Sequence, residues 1–380
     1  MKSNNKKIVF VGVSGGVDSS VALALLKKAG YNVVGGFIRT WTPDFLEFTR
    51  PDGRMGGCTW RDERRDAMRV CARLDVPFLE CDAIDAYKKG VADYMIKEYK
   101  KGRTPNPDVM CNREVKFGVF WDFAKARGAD YIATGHYTQI SIRQEYKENG
   151  KIFSLLQSKD MSKDQSYFLW TLTQEDLSHT LFPIGHLEKT EVRKQALKFD
   201  LPTAVKKDSQ GVCFLGPLDM KDFLKHYIKS EKGIVENVQG EKIGTHDGVL
   251  FYTLGERHGF NIEEKGIIDR PYYVVAKDIQ KNILTVSQNK DEFKNKNEFV
   301  ELENVITRGD LQIEQSARIA KQGGYRAQVR YHGEFLPIKI IEQKDDKLKI
   351  QFLKQDSSLA SGQSVVIYDG DICLAGGVVL

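Results

Sequence analysis

The sequence predicts an α/β chain with a parallel-sheet N-terminal domain, a small central α+β domain and a C-terminal β-barrel. Three observations predict it. Strand-like and helix-like patterns alternate through the first two hundred residues, as in sheets whose parallel strands are joined by crossover helices. One helical pattern followed by short, glycine-rich strands then runs to about residue 275. Beyond that, short alternating strands recur at close spacing to the C-terminus, the pattern of a small barrel. A chain of 380 residues is too long for one compact core. Domains are expected over 1–216, 217–282 and 283–380.

In the first domain, the apolar run Ile8-Val9-Phe10-Val11 opens a strand over 8–13. A helix over 18–29, a strand over 32–38, a helix over 61–74 and a strand over 76–80 follow. Helices over 87–101, which is basic, and 114–127 precede a strand over 129–133. Residues 143–151 read as a polar hairpin tip between apolar runs at 139–142 and 153–156, and 187–199 as the last helix. A helix over 218–228 opens the central domain, and the charged, apolar-poor run 289–298 reads as a loop or linker. In the last domain, 325–331 alternates strictly, placing Arg326, Gln328 and Arg330 on one face. Strands follow over 336–341, 348–352, 364–368 and 372–380.

Composition bounds the function loosely. The formal net charge of +5 suits an RNA partner and equally suits any mildly basic soluble protein. No apolar stretch approaches a membrane span, and the N-terminus lacks the apolar core of a signal peptide, so a cytoplasmic location with no membrane partner is expected. The six cysteines, at 58, 71, 81, 111, 213 and 373, form no C-x-x-C pair. Thiols are expected rather than a disulfide scaffold, and no metal site.

The most informative stretch is Gly12-Val13-Ser14-Gly15-Gly16-Val17-Asp18-Ser19. It lies between the first strand and the first helix, where unpaired backbone N–H groups and the positive end of the helix dipole favour phosphate. Gly15 and Gly16 admit conformations and a close ligand approach that a side chain would block. The run is neither a Walker-type loop nor a dinucleotide fingerprint. It resembles the S-G-G-x-D-S loop of the N-type ATP pyrophosphatases, which split ATP to AMP and pyrophosphate while adenylating an oxygen.

Two further segments carry thiols. In Thr104-Pro105-Asn106-Pro107-Asp108-Val109-Met110-Cys111-Asn112, the prolines are expected to hold a loop, with Cys111 just before the helix of 114–127. A thiolate is favoured at such a helix start, and Asp108 is placed to act as acid or base. In Lys206-Lys207-Asp208-Ser209-Gln210-Gly211-Val212-Cys213-Phe214, two lysines would favour a thiolate or attract phosphate. Taken singly, Cys111 reads first as a packed structural residue, and Cys213 reads equally as one.

The three segments in this order, with Ala133-Thr134-Gly135-His136-Tyr137, the run from Lys159 to Leu169 and Phe251-Tyr252-Thr253-Leu254-Gly255, resemble the bacterial tRNA-specific 2-thiouridylases over essentially the whole chain. The resemblance implies an adenine nucleotide hydrolase-like N-terminal domain and a tRNA-uridine 2-sulfurtransferase that uses ATP and Mg2+. In that reading Gly12, Val13, Ser14, Gly15, Gly16, Val17, Asp18 and Ser19 bind ATP, with Ile38 and Gly135 lining the nucleotide pocket. Cys213 carries a persulfide, Cys111 is the nucleophile or resolving thiol, and Asp108 is the acid or base. Asn106, Pro107 and Asp108 match the target-base contact. His136, Lys163, Asp164, Gln165, Arg330, Tyr331 and Gln363 match other tRNA contacts, at the anticodon loop for the last three. The basic helix over 88–103 would attract the RNA backbone. A persulfide donor, such as a cysteine desulfurase or a sulfur-relay protein, is implied as a partner. Glu256 departs from the glutamine common in the family, and the segment 45–58 is unusual. Another ATP pyrophosphatase, of the amidotransferase or lysidine-ligase type, would need no pair of reactive thiols. An RNA-binding protein with a degenerate nucleotide fold would need neither thiols nor an intact loop.

Overall fold

The computed structural model describes residues 7–46, 60–144, 151–208, 220–263, 270–289, 292, 299–308, 311, 324–354 and 359–380. Cys58, Cys213, most of the segment 45–58 and most of the expected linker 289–298 lie outside these residues.

The N-terminal sheet is wholly parallel. Its strands are β1 (Ile8–Gly12), β2 (Asn32–Arg39), β3 (Phe78–Asp82), β4 (Tyr131–Ala133) and, after a hairpin of β5 (Gln139–Gln144) and β6 (Lys151–Leu156), β7 (Thr180–Leu181). Their spatial order is β3-β2-β1-β4-β7. The chain moves outward from β1 in one direction to β3 and in the other to β4, so the order reverses beside β1. Open parallel sheets bind ligands at the carboxyl ends of their strands at such a point. Helices α1 (Val17–Lys28) and α2 (Trp60–Arg73) pack on one face, their buried Val21, Leu23, Val70 and Cys71 sharing a core with Val9 and Val11. On the other face Phe120, Ile132 and Phe10 belong to a second core.

The central sheet comprises β8 (Gly233–Glu236), β9 (Lys242–His246), β10 (Asn261–Ile262), β11 (Tyr273–Asp278) and β12 (Ile283–Ser287), in the order β10-β9-β8-β12-β11. It packs on Met95, Ile96 and Tyr99 of the N-terminal domain. The expected helix over 218–228 is described as Met220–Lys225.

The C-terminal domain is a closed six-stranded barrel of β13 (Phe299–Thr307), β14 (Arg326–Gln328), β15 (Leu336–Lys344), β16 (Lys347–Phe352), β17 (Ser364–Asp369) and β18 (Ile372–Val379). Pairing of β13 with both β16 and β18 closes it. The sequence reading missed β13, although Val300, Glu301, Leu302 and Glu303 alternate apolar and polar as the two faces of a strand do. It also missed that β6 pairs with β18, which makes the β5–β6 hairpin an extension of the barrel sheet. This join is tightly packed: a Cβ on Gly376 of β18 would lie 2.6 Å from the Trp170 indole. The buried Arg308 guanidinium donates to the Trp170 and Leu172 carbonyls at 2.7 and 2.9 Å and to the Cys373 carbonyl at 2.9 Å. A buried cation with its donors filled by carbonyls is costly to orphan, so it fixes the barrel on the N-terminal domain.

The strict alternation over 325–331 ends early. Only Arg326–Gln328 pair as strand, and the chain then bends, closed by a bond from the Gly333 N–H to the Arg330 carbonyl. Arg326, Gln328 and Arg330 therefore do not share one strand face. Gln328 is buried while Arg330 is exposed.

Candidate active site

The chain leaves β1 at Gly12, still tied to the sheet because the Val13 N–H donates to the Gly36 carbonyl at 2.8 Å. Gly15 has φ +73°, and a side chain there would also strike the Glu63 carbonyl of α2. Gly16 is the N-cap of α1, in extended conformation and with no side-chain cap, so the first-turn amides are left to a ligand. Hydroxyl groups brace the loop from within. The Ser14 N–H donates to Ser19 Oγ at 3.2 Å, and Ser20 Oγ donates to the Gly16 carbonyl at 2.6 Å. At the end of β4, Gly135 comes so close to α1 that its Cβ would lie 2.6 Å from the Ser19 nitrogen. Ile38 is buried near the end of β2. The loop thus opens at the switch point between β1 and β4.

Charged side chains crowd one flank. Lys189 Nζ lies 2.9 Å from both oxygens of Asp18 and 2.9 Å from Asp208 Oδ1. Tyr137 donates its hydroxyl to Asp18 at 2.8 Å, and burial together with Asp18 pushes that phenol far up, so it remains a donor. Asp208 also meets Arg193 at 2.6 Å and Lys163 at 3.8 Å. Partial burial pushes its carboxyl up, but Lys189 and Arg193 outweigh that and hold it below the usual aspartate range. Lys206 donates to the Gly15 carbonyl at 3.0 Å and pairs with Asp66 at 2.7 Å. The sequence reading singled out Lys206 and named Tyr137 only within a matching run, without a role, and it missed Lys189. Nothing in the local pattern marks Lys189 among 57 lysines and arginines.

The thiol segment differs from expectation. Residues Pro107–Cys111 are helical, not loop. Asn106 is the N-cap, accepting from the Asp108 and Val109 N–H groups at 3.1 and 3.3 Å, and Pro107 takes the first helical position, where its lack of an N–H costs nothing. The helix runs on through a π-helical stretch, Asn112–Val119, into Phe120–Lys125. Cys111 is therefore a full turn inside a helix rather than at its start, beyond the reach of a favourable end dipole. It is 0% exposed, in the same apolar cluster as Ile38, Val109, Val115 and Phe117. Asp108 is half-buried. No disulfide joins any two described residues, and among them no group of three His, Cys, Asp or Glu is arranged to hold a metal.

The residues matched to RNA contacts come from three parts of the chain. The Thr104 N–H donates to the Ser361 carbonyl at 2.8 Å, fastening the start of the Asn106 segment to the barrel turn that carries Gln363. Tyr167 donates to the Ser364 carbonyl at 2.9 Å and bonds Asn106. Asn112 donates to the Phe168 carbonyl at 3.0 Å, and the Phe168 ring lies 4.4 Å from that of Tyr331, which stacks on His332. Asn106, Tyr331 and the Gln363 turn are thereby joined through Tyr167 and Phe168. Three other matched residues are turned to structural partners. Asp164 is buried, accepting from the Ser158 N–H at 2.7 Å and the Ser166 hydroxyl at 2.7 Å. Gln165 accepts from the Tyr137 N–H at 3.0 Å. His136 is buried between Phe117 and Phe182 and bonded to Thr134 at 2.8 Å; burial, with Lys116 beside it, pushes the imidazole well down and keeps it neutral. Arg103, at the end of the basic helix, pairs with Glu98 and Glu303 and faces the barrel rather than solvent. Glu256 accepts from the Thr253 N–H at 2.9 Å, and burial pushes its carboxyl up.

Among the described residues no helix is long and apolar enough to cross a membrane. Residues 7–217 match the family model described as the tRNA methyl transferase HUP domain, 221–288 the tRNA methyl transferase PRC-barrel domain, and 306–379 the aminomethyltransferase beta-barrel domain. A tRNA-specific 2-thiouridylase of Oceanobacillus iheyensis is 40% identical over 379 residues, covering 100% of this chain and 96% of that protein. The one from Nitrosomonas eutropha is 41% identical over 378 residues, covering 99% of each. Among solved structures, a 4-thiouridine synthetase–RNA complex with bound ATP is similar over 58% of this chain and 50% of that one, at 16% identity and a TM-score of 0.36, too distant to bear on function. The match to the relatives runs from end to end, and the chain belongs to the family of tRNA-specific 2-thiouridylases.

Proposed function

We propose that this enzyme converts wobble uridine 34 of tRNA to 2-thiouridine, using ATP to activate the C2 oxygen and a cysteine persulfide as the sulfur source. The observation that carries the ATP step is the uncapped first turn of α1 behind Gly15 and Gly16, with Gly135 leaving the Ser19 amide clear. A polyphosphate fits there, held by Gly12 to Ser19, with Ile38 and Gly135 beside the nucleoside. Mg2+ would accompany the triphosphate, with Asp18 and Asp208 as the carboxylates that would hold it, and would neutralise phosphate charge when bound.

The chemistry follows from the leaving group. The uridine C2 oxygen attacks the α-phosphorus, releasing pyrophosphate and leaving C2 bonded to an AMP leaving group. The terminal sulfur of a Cys213 persulfide attacks C2 and expels AMP. The Cys111 thiolate then attacks the Cys213 sulfur, forming a Cys111–Cys213 disulfide and leaving both electrons of the broken S–S bond on the 2-thio group. In the alternative order, Cys111 attacks the persulfide first, and the hydrogen sulfide released attacks C2. Either order needs Cys111 uncovered, and Asp108 would move the proton. Anticodon loops are single-stranded, so their bases can be turned into a pocket. Asn106, Pro107, Asp108, Tyr331 and Gln363 would meet the base and its neighbours, and Lys163 and the exposed Arg330 the flanking RNA, with His136, Asp164 and Gln165 supporting that surface from beneath. The domains would be 1–216, a central unit extended through β12, and the barrel.

The test is mass spectrometry of nucleosides from unmodified tRNA incubated with protein, ATP and a persulfide donor. The expected product is 2-thiouridine at position 34, formed only with ATP. Its absence with a donor proven active removes the proposal.

A further inference from the structure

Gly102, Arg103 and Thr104, which lead into the thiol segment, are each held by another domain. The Gly102 carbonyl accepts from Lys277 Nζ of β11 at 3.0 Å, and the same ammonium donates to the Tyr252 carbonyl at 2.7 Å. The Arg103 side chain is 17% exposed and lies 2.9 Å from the buried Glu98 carboxylate. It also pairs with Glu303 of β13 and donates to the Val379 carbonyl of β18 at 3.1 Å. Thr104 meets both other domains: its N–H donates to the Ser361 carbonyl of the barrel, and its hydroxyl lies 3.2 Å from that of Thr253 in the central domain. The barrel turn packs so close that a Cβ on Gly362 would lie 2.9 Å from the Thr104 nitrogen.

A planar guanidinium shared among three partners fixes direction as well as distance, which a single flexible ion pair does not. The chain beyond it has little freedom to absorb a displacement. Pro105 and Pro107 fix their own φ and restrict Thr104 and Asn106 before them. An anchor at Arg103 is therefore passed stiffly to the Asn106 cap, and through the cap to the helix that carries Cys111. We propose that Arg103 is a positioning residue for thiolation, setting where the Asn106 cap and the Cys111 helix stand relative to an RNA seated on the barrel. This rests on the thiolation reading given above. Arg103 faces the barrel and acts through the segment that it anchors, so the barrel both receives the RNA and holds the sulfur side of the site in register with it.

The test measures steady-state thiolation of unmodified tRNA by the full chain, for the parent protein, Arg103→Met and Glu303→Ala. Equilibrium dialysis with ATP reports whether each variant keeps a folded N-terminal domain. A small misplacement of reacting groups is costly in rate, so kcat of Arg103→Met should fall by about 10- to 100-fold. Its KM for tRNA and its Kd for ATP should stay within about twofold of the parent, because neither ligand touches Arg103. Glu303→Ala leaves Arg103 beside Glu98 and the Val379 carbonyl, so its kcat should fall by a smaller factor with the same split. An unchanged kcat overturns the assignment. A KM for tRNA raised by more than about tenfold also overturns it, since Arg103 would then be an RNA contact. If Arg103→Met loses ATP binding, Glu303→Ala decides by the same criteria. A parent protein that forms no 2-thiouridine overturns the thiolation reading itself, and this inference with it.

Discussion

At the end of β1, Gly15 and Gly16 leave a row of backbone donors open, braced by serine hydroxyls and flanked by paired charges. At the end of Pro107–Cys111, the thiol is closed inside an apolar cluster with Ile38 and Val115. The first site can receive an anion as it stands. The second can touch a substrate only after its helix shifts or its neighbours part. The difference teaches that the two halves of the proposed reaction are separately prepared: phosphate recognition is preorganised, and sulfur chemistry is withheld until something uncovers Cys111. Protecting a nucleophilic thiol in this way limits wasteful oxidation in the resting enzyme.

Changes to the open half should have the largest effects. Gly135→Val would push a side chain against the Ser19 amide, 2.6 Å from the ideal Cβ. Overpacking of that kind costs up to about 3 kcal/mol, so ATP affinity should fall by about 100-fold, measured by calorimetric titration. Unchanged affinity would mean that the loop is not the phosphate site. The closed half is probed next by alkylation. Native Cys111 should react with iodoacetamide at least about tenfold more slowly than the denatured chain, and faster once tRNA and ATP are added, followed by mass spectrometry of its peptide. A thiol equally reactive in both states would erase the contrast.

Smaller effects sharpen it. Asn106→Ala removes the N-cap of the thiol helix and should lower stability by about 1 kcal/mol in urea unfolding, with a larger loss of thiolation than of ATP binding. Asp208→Asn tests the charged flank. Asp208 is held below its ordinary range, so the stability it contributes is present above about pH 4 and is lost as pH falls through its lowered folded value. The variant should therefore be less stable than the parent at neutral pH, and the gap should close in acid, as seen in thermal melts across pH 2–7.

Much of this was legible in the sequence because it is local. The glycine loop follows from Gly15 and Gly16 between an apolar strand and an apolar helix, and the barrel strands after 335 follow from period-two alternation. Asn106-Pro107 carried a helix-start signal, an N-cap residue followed by proline at the first position, but the expected loop ignored that pairing. What the sequence hides is long-range. Lys189 meets Asp18 only because two helices converge on β1 and β4, 171 positions apart in the chain. The join of β6 to β18 spans more than two hundred positions and has no local mark. Burial of Cys111 is likewise a packing outcome, since the helix that carries it could have turned either face inward.

The most direct test of separately prepared halves is a single variant read two ways. With Cys213→Ser, ATP, a persulfide donor and unmodified tRNA, both pyrophosphate release and 2-thiouridine are measured. The account predicts tRNA-dependent release of pyrophosphate with no 2-thiouridine formed. Continued 2-thiouridine formation, or loss of pyrophosphate release along with it, would contradict the account.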